Sequence, residues 1–212
     1  MKELLFASDL DGTLLNARHE TDEEILQGIR DLAAHNARVV ISTGRSASMC
    51  RALGFEPGPV ILMNGALALD EAGHVIHDAP LDPDLVRELM DRFPELPFEF
   101  CTDRGTLTRQ SRQETIANFQ RRWAKRGKPR RDGDFDRMFQ GHRNDLNREE
   151  ILAETIYKIN CNREDSEDCR ALEAWLADHP QVVNTPSDAV LYEITSCHAT
   201  KGQAVRALAD HL

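Results

Sequence analysis

The sequence lacks paired cysteines, long apolar runs and an excess of positive charge. Its five cysteines are odd in number and form no Cys-x-x-Cys motif, which argues against a disulfide framework or a zinc knuckle and predicts reduced thiols in the cytoplasm. No apolar run approaches membrane-spanning length, and the opening MKELLFASDLDG reaches its aspartates too early for a signal peptide. The net charge of −10 argues against a nucleic-acid backbone as the partner.

The remaining composition is that of a globular protein. The chain has 212 residues, of which 41% are hydrophobic and 29% charged, enough for one large domain or two small ones. A local exception to the acidic balance is QRRWAKRGKPRR (120–131), which carries seven basic residues. We interpret this run as a solvated face, with attraction of an anionic substrate as the alternative.

The first third of the sequence predicts an α/β fold. Short apolar runs at 4–8, 38–42 and 58–65 are typical of strands buried in a parallel sheet. Between the first two runs lies a helical pattern that opens with a capping box of Thr21 and Glu24. Strand, helix, strand, helix, strand is the order of a parallel sheet with crossover helices. The alternating segment 66–80, which turns at 71–73, predicts a hairpin.

After the hairpin the pattern changes to that of an inserted α+β layer. Helices are predicted at 83–92, 112–126 and 166–178, and strands at 98–102, 105–109, 154–161 and 181–184. The apolar run 189–196 then predicts a return to a buried strand of the first sheet, before a helix that begins near Lys201. The predicted organisation is therefore a core domain of residues 1–81 and 185–212, with a second domain at 82–184.

Polar side chains are concentrated where the predicted strands end. Asp9 and Asp11 follow the first strand and can project to the same side, while Thr43 and Gly44 follow the second. Lys201 opens a helix whose N-terminus itself favours anions. Because ligands bind at the carboxyl edge of parallel sheets, this set predicts a phosphate site with Mg²⁺, an ion that prefers one or two carboxylates plus phosphate and water.

The motifs DLDGTLL and STGR, followed by a Lys-Gly pair opening a late helix, resemble those of the haloacid dehalogenase superfamily of phosphohydrolases. The MNGA stretch and the insert are similar to its Cof-type branch, which carries a large α/β cap. The resemblance spans essentially the whole chain. It implies a Rossmann-like core, a cap that sets specificity, and Mg²⁺-dependent hydrolysis of small phosphorylated metabolites such as sugar phosphates.

The resemblance also implies roles for individual residues. Asp9 would be the nucleophile that attacks phosphorus and a Mg²⁺ ligand. Asp11 would protonate the leaving oxygen and then activate water against the aspartyl-phosphate, while its carbonyl ligates the metal. Thr43, with backbone amides near Leu10 and Gly44, would hold the phosphoryl oxygens. Lys201 would neutralise charge on the nucleophile and the transferred group.

Two further residues are placed in the substrate cleft by the resemblance. Arg45 and Asn64 lie where this branch lines that cleft, although Asn64 and the following glycine are also compatible with an ordinary turn. Taken singly, Thr43 is compatible with a helix N-cap and Lys201 with a surface position. Only the ordered set of motifs distinguishes a functional site from these simpler alternatives.

One part of the family pattern is missing from this sequence. The family completes its site with an acidic motif of the GDxxND type, whereas between Lys201 and Leu212 the only acidic residue is Asp210. This predicts a core truncated at its C-terminal side, weak Mg²⁺ binding, and self-association through an unpaired edge of the strand at 4–8. A non-catalytic ligand-binding protein with the same fold is the alternative, and a phospho-accepting signalling domain is a further one.

Overall fold

The computed structural model of the chain describes residues 4–16, 20–51, 53, 55, 58–127 and 135–212. Part of the basic run at 120–131 lies outside the described residues. The strands found are β1 (Leu4–Ser8), β2 (Ala37–Ser42), β3 (Val60–Leu62), β4 (Leu67–Leu69), β5 (Val75–Asp78), β6 (Glu99–Cys101), β7 (Thr106–Leu107), β8 (His142–Arg143), β9 (Lys158–Asn162), β10 (Val182–Asn184) and β11 (Leu191–Ser196). The helices found are α1 (Glu23–Ala34), α2 (Ala47–Arg51), α3 (Pro83–Arg92), α4 (Arg112–Lys125), α5 (Phe135–Met138), α6 (Arg148–Leu152), α7 (Glu167–Asp178) and α8 (Lys201–His211).

The chain divides into two compact units, one formed by Met1–Ala79 with His198–Leu212 and the other by Pro80–Cys197. The first unit contains a sheet of order β1-β2-β3-β4-β5. Strands β1, β2 and β3 are parallel, and β4 and β5 extend the sheet as the antiparallel hairpin predicted from 66–80. Its apolar core joins the sheet to α8 through a cluster of buried side chains: Val40, Ile61, Ala68, Ala204 and Leu208. The predicted α/β class is confirmed.

Strand β1 is less covered than the sequence predicts. Its apolar run predicts burial on both faces, but Leu4 is 55% exposed and Phe6 is 46% exposed. The reason is that β1 is the edge strand of the described sheet, and α1, which packs on β2, buries none of its own residues. The cap of α1 also differs from the prediction, because Asp22 rather than Thr21 accepts the amide of Ile25.

The second unit is built on a sheet of order β10-β11-β9-β6-β7-β8, antiparallel except between β7 and β8. One face of this sheet is apolar and packs on helices. Phe100, Ile159 and Ile194 lie in one cluster with Leu172 and Trp175 of α7. Helix α3 has the predicted bounds, whereas β9 begins later than predicted because the short helix α6 precedes it. The insert is thus an α+β unit, as expected from its pattern.

The opposite face of the second sheet carries buried charges. Glu99, Asn160 and Glu193 are neighbours across β6, β9 and β11. Arg122 pairs with Glu99 at 3.1 Å and Lys158 with Glu193 at 2.7 Å, all four side chains being at most 10% exposed. Burial raises the pKa of each glutamate, but the adjacent cation and its hydrogen bonds outweigh burial and leave both pKa values below the usual range. These two pairs neutralise the four buried charges within the second unit.

Strand β11 contradicts one boundary predicted from the sequence. The run 189–196 was expected to rejoin the first sheet, but β11 lies between β9 and β10 in the second. Its six residues are all buried, so the prediction of burial is confirmed while the assignment to the core domain of 185–212 is wrong. The physical reason is the charge pattern, because Glu193 of β11 pairs with Lys158 of β9. The junction between units therefore follows Cys197, not residue 184.

Among the described residues, we find no helix that is both long enough and apolar enough to span a bilayer.

Candidate active site

The two aspartates of DLDGT lie on a tight turn that follows β1. Asp9 is extended, with φ −70° and ψ 159°, and residues Leu10–Leu14 form the turn. Gly12 has a φ of 81°, a left-handed conformation that glycine adopts without steric cost. The side chain of Leu10 is fully buried, and its carbonyl accepts the amide of Leu15 at 2.9 Å. Burial of Leu10 fixes the backbone that presents both carboxylates.

The first carboxylate is bound by the lysine that the sequence places almost two hundred positions away. Lys201 Nζ donates to Asp9 Oδ1 at 2.6 Å, and each side chain is 39% exposed. Lys201 is the first residue of α8, whose N-cap Thr200 accepts the amide of Gln203. The predicted approach of these two residues is therefore present in the structure. A half-exposed charge pair of this kind keeps an anionic oxygen and a cation available to a ligand.

The second carboxylate is held by an arginine that the sequence placed in the substrate cleft. Arg45 donates from Nε to Asp11 Oδ2 at 2.8 Å and from Nη2 to Oδ1 at 2.7 Å. This geometry is bidentate, the strongest form of arginine–carboxylate pairing. The arginine side chain is 16% exposed and the aspartate side chain 43% exposed. Sequence reasoning identified both residues but missed their pairing, because no local pattern links positions so far apart.

Thr43 directly follows β2 and precedes the segment that carries Arg45. It is 1% exposed, its amide donates to the carbonyl of Ile61 at 2.8 Å, and its Oγ1 accepts the amide of Arg45 at 3.1 Å. The hydroxyl thus shapes the backbone that carries Gly44 and Arg45. The proposed contact of Thr43, Gly44 and the Leu10 amide with phosphoryl oxygens stays a prediction.

Asn64 occupies a turn with unusual backbone angles. Met63, Asn64 and Gly65 have φ values of 50°, 62° and 100° in succession. The amide of Asn64 donates to the carbonyl of Thr43 at 3.1 Å, so the turn is tied to the end of β2. Asn64 Nδ2 is buried and has no hydrogen-bond partner among the described residues. An unpaired buried donor costs free energy unless a ligand oxygen satisfies it, which supports the cleft position predicted for this residue.

The donor set suits a hard divalent cation held in part by its substrate. Within the described ranges, no three His, Cys, Asp or Glu side chains converge to form a metal cage. Mg²⁺ does not need one, because it binds through one or two carboxylates and completes its shell with water and phosphate oxygens. The half-exposed Asp9 carboxylate and the backbone carbonyl of Asp11, on the same turn, are oxygen ligands of that type.

This arrangement matches a known enzyme family. Residues 6–212 fit the profile of haloacid dehalogenase-like hydrolases, and the chain belongs to that family, as its motifs predicted. Phosphatase YwpJ of Bacillus subtilis is 38% identical over 118 residues, which are 53% of this chain and 41% of that protein. The matched region therefore covers less than half of that curated relative's length.

Solved structures share the fold across nearly the whole chain. A haloacid dehalogenase-like hydrolase from B. subtilis superposes with a TM-score of 0.78 at 23% identity, covering 98% of this chain and 78% of that one. TM0651 from Thermotoga maritima gives 0.71 at 19% identity, with 99% and 75% covered. The subclass IIB sugar phosphatase BT4131 gives 0.71 at 16% identity, with 99% and 76% covered. These likenesses confirm the Rossmann-like core carrying a cap as the fold class.

Proposed function

We propose that this chain carries the catalytic residues of a Mg²⁺-dependent phosphatase that hydrolyses small phosphorylated metabolites through an aspartyl-phosphate. The observation that carries the proposal is the contact of Asp9 with Lys201 at 2.6 Å, beside the Asp11–Arg45 pair, in a chain of the hydrolase family. In this arrangement each catalytic carboxylate already lies against a cation that can also bind a phosphoryl oxygen.

The reaction divides into two transfers on the same aspartate. Asp9 Oδ2 attacks phosphorus, the bond to the leaving oxygen breaks, and Asp11 supplies the proton that the alcohol carries away. Asp11 then accepts a proton from water, which attacks the aspartyl-phosphate and releases inorganic phosphate and the Asp9 carboxylate. Lys201 stays on Oδ1 and offsets the charge that accumulates. Asp9 and the backbone carbonyl of Asp11 would hold Mg²⁺, which when bound would supply further charge neutralisation.

Arg45 has to leave Asp11 for this cycle to run, because a bidentate guanidinium occupies both oxygens of the carboxylate. An anionic phosphoryl group competes for the same guanidinium and frees Asp11 for proton transfer. Asn64 Nδ2, an unpaired buried donor in the described structure, is assigned to an oxygen of the substrate.

The second unit is assigned to substrate selection. Its sheet has a polar face on which Asn160 Oδ1 and Thr195 Oγ1 are buried without partners among the described residues. The proposal of sugar phosphates rests on the resemblance to the Cof-type branch, and unpaired polar groups of this kind are compatible with a hydroxylated leaving group. All five cysteines are free thiols, which suits a cytoplasmic protein.

The test is phosphatase activity on an aryl phosphate with and without Mg²⁺. Asp9→Asn is expected to abolish turnover, because it is nearly isosteric but removes the nucleophile. Asp11→Asn is expected to accumulate one phosphoryl group, visible by intact mass after quenching. The control is Asp210→Asn, an exposed carboxylate of α8, which should keep the parent rate. Normal turnover by Asp9→Asn would disprove the mechanism, and phosphate binding without hydrolysis by the parent chain would favour the non-catalytic alternative.

A further inference from the structure

The turn Met63–Gly65 touches both elements that carry cations in the candidate active site. On one side, the amide of Met63 donates to the carbonyl of Arg45 at 3.0 Å and that of Asn64 to the carbonyl of Thr43 at 3.1 Å. On the other side, the turn packs directly on the start of α8. It therefore joins the segment that holds Asp11 to the helix that supplies Lys201.

The contact with α8 is made by backbone atoms and leaves no room for a side chain. A Cβ on Gly65 would overlap the carbonyl carbon and oxygen of Thr200 and would lie 2.5 Å from the amide nitrogen of Lys201. Gly65 is buried and has a φ of 100°. Its neighbours Met63 and Asn64 also have positive φ, so the turn is held in a conformation that ordinary residues adopt rarely.

The atoms that face Gly65 are backbone atoms, so a change of side-chain rotamer cannot relieve a clash at this point. We infer that Gly65 is a positioning residue for the proposed phosphatase reaction. It sets the position of Lys201, the first residue of α8, and thereby the contact of Lys201 Nζ with Asp9. Any side chain at position 65 forces the start of α8 away from the turn. The lysine then loses the geometry in which it neutralises the nucleophile.

The chain offers a matched control for this inference. Gly73 also has a left-handed φ, of 83°, but a Cβ there meets nothing within 4 Å. Gly73→Ala therefore imposes backbone strain without a clash, and Gly65→Ala imposes both. A small displacement of a catalytic group costs on the order of a hundredfold in rate. We expect kcat on an aryl phosphate to fall about that much in Gly65→Ala and to stay within about twofold in Gly73→Ala.

A double-variant cycle distinguishes an effect on the position of Lys201 from a general loss of structure. If Gly65 acts through Lys201, then Gly65→Ala should add little to the loss already caused by Lys201→Met. Additive losses would overturn the inference, since they would mean that Gly65 supports the unit in some other way. A Gly65→Ala chain that fails to fold while Gly73→Ala folds would also count against it, because stability rather than placement would then be the role of the glycine.

A second readout does not depend on turnover and so separates this inference from the proposed function on which it rests. In chains labelled at the lysine side chains, the Lys201 NMR signal is identified by its loss in Lys201→Met. Asp9→Asn should shift that signal in the parent and in Gly73→Ala, because both keep the 2.6 Å contact. The shift should vanish in Gly65→Ala. Its persistence there overturns the inference even if the parent proves to be an active phosphatase, and its loss supports the inference even if the parent hydrolyses nothing.

Discussion

Replacement of Lys158 by methionine should reverse the pH dependence of stability in the second unit. Lys158 Nζ lies 2.7 Å from Glu193 Oε1, and the two side chains are 5% and 6% exposed. Removing one member of a buried ion pair typically costs about 3–5 kcal/mol, because the remaining charge stays buried without compensation. Glu193 still accepts the amide of Ser187 at 2.6 Å, so we expect about 3 kcal/mol, the lower end of that range, at pH 8.

The sign of the pH dependence follows from the pKa of Glu193. In the parent chain this pKa is lowered, so the pair's contribution is present above the ordinary value of 4.5 and is lost as the pH falls through the folded pKa. Without Lys158, burial dominates and raises the pKa above that ordinary value. The loss of stability caused by Lys158→Met is then largest above the raised pKa of Glu193. It shrinks by about 1.4 kcal/mol per pH unit as the pH falls, until the pH reaches the pKa of Glu193 in the unfolded chain.

Urea unfolding at pH 8 and at pH 5.5, followed by circular dichroism, measures both effects. The exposed pair of Arg170 with Asp165 provides the control, since Arg170→Met should change the free energy of unfolding by less than about 0.5 kcal/mol at either pH. The double variant Lys158→Met, Glu193→Leu should recover most of the loss because neither charge of this pair then remains. A loss below about 1 kcal/mol for Lys158→Met, or one independent of pH, would refute the reasoning.

Two further predictions concern the first unit. Arg45→Met should lower kcat/KM for an aryl phosphate by about ten- to a hundredfold, since it removes a cation that pairs with Asp11 at 2.7 Å and is proposed to bind the phosphoryl group; unchanged kinetics would argue against that role. Phe6→Lys should weaken self-association measured by sedimentation, because Phe6 is 46% exposed on the edge strand of the described sheet. A parent chain that is monomeric at high concentration would contradict the predicted edge pairing.

The candidate active site was largely predictable because its residues follow a general rule. Side chains after parallel strands meet at one edge of the sheet, so DLDGT and STGR were expected to lie together. The structure confirms this through the Arg45–Asp11 pair. The bidentate form of that pair was not predictable, because it depends on the position of a loop rather than on any local periodicity.

Position 65 shows a different limit of the sequence. An Asn-Gly pair predicts a turn, and a turn is present at Met63–Gly65. The sequence gives no indication that Thr200 packs on that glycine, because the contact joins segments separated by the whole second unit. The same limit explains the misplacement of β11. Its mostly apolar run predicts a buried strand, but the choice of sheet depends on its partner Lys158.

The separation of Asp9 from Lys201 by 192 positions has a consequence for synthesis of the protein. At a typical elongation rate, the ribosome adds Lys201 roughly 10 to 40 s after Asp9. Until α8 is made, the sheet of β1 to β5 lacks one of its packing partners. The side chains of Val40, Ile61 and Ala68, which pack with α8 in the finished unit, do not yet have that contact. The second unit is complete at Cys197, before α8 is made. The nascent chain therefore has a period in which its inserted part can fold while the part that carries Asp9 still needs protection from aggregation.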